Sequence, residues 1–145
     1  DGDAGSALAR EAEVLAAVKK MALFGAGVAS QRFMTALQDQ QEVMADLADM
    51  IMQVYALESA LVRARKLQGR TVEGVAAAMT GLLADDSMAL AEKSTRRVLA
   101  ACGEGDMLRT QLAILRRLAR FTPADAGALS RSVAAQCVAM GRYPL

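Results

Sequence analysis

Apolar positions along this chain recur at alternating steps of four and three, the spacing that lines one face of an α-helix. The pattern is strongest over residues 39–66, where Val43, Leu47, Met50, Val54, Leu57 and Leu61 form one stripe. Met44, Ile51, Tyr55 and Val62 widen it on one side, so this helix needs partner helices on more than one side. Asp39-Gln40-Gln41-Glu42 predicts its start as a capping box. The Asp39 carboxylate would accept from the Glu42 amide while Glu42 reaches back. Gly69 stands where a C-cap glycine closes the helix after about Leu67.

The rest of the chain divides into further helical segments. Ser6 predicts the cap of a first helix reaching about Leu37, with Leu8, Leu15, Val18, Ala22, Ala29 and Phe33 near one face. Gly25-Ala26-Gly27 interrupts its centre. No strand precedes this Gly-x-Gly, so it reads as close helix packing or a kink rather than a phosphate loop. Thr71 predicts the cap of a third helix to about Cys102, weakened by Gly74 and Gly81, and Asp85-Asp86-Ser87 leaves one helix or two open. After the turn Gly103-Glu104-Gly105, Asp106 caps a helix over Met107–Phe121, and Thr122-Pro123 opens a fifth running to Met140 and ended by Gly141. The fold class is all-α: an up-and-down bundle of four to five helices, three long and two shorter. Short connections set sequential helices antiparallel.

Composition sharpens this. Hydrophobic residues make up 54% of 145, enough for one core, yet aromatics are only 3% and Trp is absent. The interior is therefore built from Leu, Ala, Val and nine Met, which suits helix-on-helix packing. Net charge is +1, and no aromatic–basic interleaving occurs, so no nucleic-acid partner is expected. Histidine is absent, which removes Ser-His-Asp and Cys-His chemistry and the commonest metal ligand. Cys102 and Cys137 stand far apart without a second Cys near either, and read as small buried hydrophobes in a reducing compartment. No apolar run is long enough to span a membrane. Asp1-Gly2-Asp3-Ala4-Gly5 is acidic and small, unlike a signal or transit peptide, and reads as a linker remnant before a single domain over residues 6–145.

Three groups of residues bear on chemistry. Glu58 falls near the middle of the apolar stripe of the second helix. A carboxylate there must be paired or protonated, either as a tuned acid or base or, on the simpler reading, as a buried ion pair with Arg109 or Arg65. Arg109, Arg116 and Arg120 stack on one face of the fourth helix with Arg117 beside them, an arrangement suited to carboxylate, phosphate or an anionic lipid surface. A solvated face accounts for the same row without a ligand. Asp46 and Asp49, and Asp85 and Asp86, read as solvated carboxylates on helix faces rather than cation sites.

Three passages carry a family resemblance. Leu-Ala-Asp-Met-Ile-Met-Gln-Val-Tyr-Ala-Leu-Glu-Ser-Ala at 47–60, the block Ala101–Leu118, and the ending Gly-Arg-Tyr-Pro-Leu resemble the accessory C-terminal domain of very-long-chain-type acyl-CoA dehydrogenases. The resemblance is strongest over roughly 39–67 and 92–145, and rests on packing and capping patterns rather than catalytic motifs. It implies a parent flavoenzyme of fatty-acid β-oxidation that uses FAD to introduce a trans double bond between Cα and Cβ of a fatty acyl-CoA. The parent's catalytic glutamate and FAD contacts lie in a body that is not represented here, so no catalytic, cofactor or metal residue is carried over. The chain alone is expected neither to hold FAD nor to turn over substrate. Its implied partners are the catalytic body of the same polypeptide and a second subunit in a homo-oligomer, with peripheral contact at the inner face of a bacterial membrane and a cytoplasmic location. A competing class is a free-standing helical adaptor that takes a partner helix or lipid in an apolar groove. An enzyme in its own right lacks a nameable nucleophile–base pair.

Overall fold

Five helices and one short 3-10 turn carry the chain in a computed structural model that describes residues 8–145. They are α1 (Ala9–Phe33), the 3-10 turn Met34–Asp39, α2 (Gln41–Lys66), α3 (Glu73–Cys102), α4 (Gly105–Leu118) and α5 (Ala126–Met140). The all-α bundle of three long and two shorter helices is therefore as the periodicity predicts. Side-chain partners fix the directions. Lys19 of α1 meets Glu58 of α2, and Gly25 lies against Leu47 and Met50, so α1 and α2 are antiparallel. Ser87 and Ser94 of α3 reach Gln53 and Asp46 of α2, so α2 and α3 are antiparallel too. α3 contacts every other helix.

The core forms where the stripe of α2 meets α1 and α3. Met21, Met50, Leu57, Met88 and Leu99 are among its fully buried side chains, and α4 adds Leu115. With almost no aromatic residues available, methionine fills the irregular spaces between helices. Gly25 explains how α1 and α2 come so close: a Cβ there would stand 3.2 Å from Met50 Cε. The helix runs through Gly25-Ala26-Gly27 without a break, and Gly25 takes the close-packing role against α2.

Helix ends depart from the sequence reading in instructive ways. Met34, with φ of 51°, ends α1 before Leu37 and turns the chain into the 3-10 segment. Asp39 is drawn into that segment and Gln40 becomes the N-cap of α2, with no side-chain cap bond, so the predicted capping box does not form. A capping carboxylate needs its own residue in the non-helical cap conformation, and here Gln40 occupies it. Thr71 likewise does not cap α3. Val72 is the cap residue, and the Glu73 carboxylate instead accepts from the backbone N–H of Gly69 at 2.7 Å. α3 passes through Asp85-Asp86-Ser87 as one helix. α4 stops at Leu118, and α5 opens at Ala126, where Asp125 Oδ1 accepts from the Ala128 N–H at 2.9 Å. Thr122-Pro123 therefore opens no helix. Gly141 does end α5, with φ of 60° in the left-handed region. The cap predicted at Ser6 and the linker reading of residues 1–5 lie outside the described residues.

Candidate functional sites: a polar latch and two uncovered apolar faces

Arg10 organises the polar centre of the molecule. From the first turn of α1 its Nη1 donates to Asp85 Oδ1 at 2.6 Å and to the Thr122 carbonyl at 2.9 Å. Its Nη2 donates to the Gly81 carbonyl at 3.2 Å, and its Nε to Glu11 Oε1 at 3.0 Å. The other Asp85 oxygen accepts from the Ala124 N–H at 2.8 Å. Burial opposes the Arg10 charge, but the Asp85 hydrogen bond and the charges of Glu11 and Asp85 outweigh it and hold the pKa above its usual value. These bonds tie α1 and α3 to the segment between α4 and α5. Thr122 and Ala124 thus bond to the latch in the stretch before α5, which opens at Ala126.

A second polar layer lies between α2 and α3. Asp46, read from sequence as solvated, is only 5% exposed. Its Oδ1 accepts from the Ser94 hydroxyl at 3.1 Å, and its Oδ2 lies 3.3 Å from Arg97 Nε. Nearby, Ser87 donates to Gln53 Oε1 at 2.9 Å. The periodicity places Asp46 one turn from Met50 and Leu47's side of the helix. Nothing in it shows that hydroxyls from α3 would be waiting there.

The predicted Glu58–Arg109 pair does not exist. Glu58 is exposed at the edge of α2 that faces α1, and its Oε1 pairs with Lys19 Nζ at 2.6 Å. Arg109 is exposed on α4 and pairs with Asp106 one turn away at 3.1 Å. The two are apart because α4 packs against α1 and α3 and does not touch α2. Arg65 is exposed near the end of α2 and is not the partner either. Arg116 and Arg117 are exposed with Arg109 on α4, and Arg120 is exposed just beyond its end. Arg117 and Arg120 border a shallow hollow of about 300 Å³ that also takes in Lys20 and Glu13.

Neither cysteine forms a disulfide. Cys102 is buried, and desolvation raises its pKa despite the opposing charge of Arg32; Cys137 is half-buried. Among the described residues no cluster of acidic or cysteine side chains is placed to hold a metal ion, and no helix is long and apolar enough to cross a membrane.

Two apolar faces remain uncovered. On α2, the flank that sequence assigned to further partners stays open: Ile51 is 63% and Tyr55 75% exposed, with Met44, Met52 and Val62 beside them. On α5, no residue is buried, although Arg131 is its sole charged side chain.

Comparison with known proteins gives this architecture a family. The pattern described as "Acyl-CoA dehydrogenase, C-terminal domain" matches residues 17–117, from α1 through most of α4. A probable acyl-CoA dehydrogenase of Bacillus subtilis strain 168 is 33% identical over 139 residues, covering 94% of this chain and 23% of the relative. The crystal structure of an acyl-CoA dehydrogenase from Bacillus anthracis, complexed with FAD, superposes with a TM-score of 0.90 at 32% identity. That match covers 94% of this chain and 24% of the other. The chain thus spans about a quarter of the length of these relatives. Its match to the family pattern over most of its length places it in the acyl-CoA dehydrogenase C-terminal domain family.

Proposed function

We propose that this chain is the non-catalytic packing domain of an FAD-dependent acyl-CoA dehydrogenase of fatty-acid β-oxidation, of the very-long-chain type. The observation that carries the reading is α5. It is alanine-rich with a single charged residue and leaves Val138 and Met140 exposed, yet α5 packs only along α3. The remaining three-quarters of the parent polypeptide is its natural cover. FAD and the acyl-CoA substrate belong to that body.

Limited proteolysis of the parent enzyme tests this. Val138→Asp should leave the fold of the 145-residue chain unchanged but should release it from the body, seen as faster cleavage between the two. Unchanged cleavage would remove α5 from the interface. A second reading concerns the exposed Arg109, Arg116, Arg117 and Arg120 with nearby Lys20, a cationic face suited to peripheral attachment to anionic lipid. Sedimentation with anionic vesicles should be lost at high salt and on Arg116→Glu/Arg120→Glu. Absence of binding at low salt would discard it.

A further inference from the structure

The uncovered flank of α2 has an order that α5 lacks. Its apolar residues are Met44, Ile51, Tyr55 and Val62, and Ala48 completes a run whose steps alternate four and three and then close on seven. This is the repeat of a two-helix seam, in which side chains of one helix seat between those of a facing helix. The face is the flank of α2 beside the stripe buried against α1 and α3, so α2 is apolar well beyond the side that those helices cover. Leu23, one turn beyond Lys19 on α1, is also exposed and extends the patch.

The seam is complementary to itself when reversed. Laid antiparallel on a second α2, Met44 falls opposite Val62, Ala48 opposite Glu58, and Ile51 opposite Tyr55, all in one register. The small Ala48 leaves room for Glu58 to keep its bond to Lys19. The partner's Met44 meets the shallow hollow of about 450 Å³ that Tyr55, Ser59, Val62 and Lys66 help to line. Charge agrees with this direction. Asp39 stands just before α2 and Glu42 in its first turn, with Arg63, Arg65 and Lys66 in its last turn, so an antiparallel pair sets acid against base at both ends. A parallel pair would set like against like. The same arrangement opposes the two helix dipoles favourably.

We infer that the outer face of α2 joins two copies of this chain, paired antiparallel about a two-fold axis with Ile51 of each copy against Tyr55 of the other. This rests on the packing-domain reading and deepens it by naming the surface that would meet a second subunit. It stands apart from α5, whose cover is the body.

Sedimentation velocity of the 145-residue chain, followed over a wide concentration range, tests it. A dimer is expected, and Ile51→Asp should weaken it by about tenfold or more, as loss of a central apolar anchor does. Val138→Asp should leave it intact. Register is read by a bismaleimide in a Cys137→Ser background. The double variant Ala48→Cys/Glu58→Cys should cross-link into dimers, while Ala48→Cys alone should not. A chain monomeric throughout overturns the inference, leaving the seam to the rest of the polypeptide. A dimer that survives Ile51→Asp and dissolves on Val138→Asp overturns it too and moves the contact to α5. Efficient cross-linking of Ala48→Cys alone overturns the antiparallel register. The α5 reading is decided separately, by proteolysis of the parent.

Discussion

α3 and α5 are both alanine-rich helices of similar local character, and they meet opposite fates. Fourteen residues of α3 are buried, although that helix carries Glu73, Asp85, Asp86, Glu92, Lys93, Arg96 and Arg97. α5 has a single charged residue and buries none. Hydrophobicity therefore does not rank these helices by burial. α3 lies between α2 and the outer helices and is covered from several sides, while α5 meets α3 alone. The charges of α3 are tolerated because each sits at an edge or finds a partner, as Asp85 finds Arg10. The difference teaches that burial follows from how many neighbours a helix has. An apolar helix with one neighbour marks a surface meant for something else.

The sharpest way to break this comparison is to shorten one side chain in each helix and follow unfolding by urea. Leu99→Ala in α3 should cost about 3 kcal/mol, since it opens a cavity among fully buried neighbours. Val138→Ala in α5, where the side chain is 83% exposed, should stay within about 0.5 kcal/mol in this chain. Equal costs would mean that α5 is covered after all.

The latch allows a finer cut. Asp85→Ala removes the partner of Arg10 and leaves the Ala124 N–H without its acceptor, and should cost roughly 2 kcal/mol. The loss should appear first at the junction with α5, as faster amide hydrogen exchange over residues 124–129 than at the centre of α3. Uniform acceleration would mean that the latch holds the whole bundle rather than its outer helix.

Two glycines extend the test to α1. At Gly27 nothing lies within 4 Å of an added Cβ, so Gly27→Ala should stabilise by up to about 1 kcal/mol through helix propensity. At Gly25 the same gain is offset by crowding against Met50, and Gly25→Ala should destabilise by about 1 kcal/mol net. Thermal melts that move the same way for both would show that α1 and α2 can part without cost. The smallest effect is expected at Met34, whose positive φ disfavours any residue with a Cβ. Met34→Gly should raise stability by at most about 1 kcal/mol, and a lower melting midpoint would mean its exposed side chain contributes more than its backbone loses.

Local signals read well wherever one helix sufficed to decide the outcome. The stripe Val43–Leu61, the turns near Gly69 and Gly103, and the left-handed end at Gly141 are all local in origin. The failures share a cause. Asp39 does not cap α2 because Met34 shifts the frame of the turn before it. Thr122-Pro123 does not open α5, and its stretch is bonded instead to Arg10 and Asp85, far away in sequence. Glu58 looked central on the helical wheel, but which edge of α2 faces α1 is settled only when α1 arrives with Lys19. Asp46 looked solvated for the converse reason: α3 brings Ser94 and Arg97 to it.

By itself the sequence determined the class of the molecule, the number and rough extent of its helices, and the family resemblance, because periodicity, turn residues and local wording are short-range properties. It also determined that α2 is apolar well beyond a single stripe. Only the tertiary structure decided which of those apolar faces is filled. A side chain's burial and partners depend on helices that reach it from elsewhere, and here they cover one face of α2, bury charged Asp46, and leave α5 and the Ile51–Tyr55 seam open.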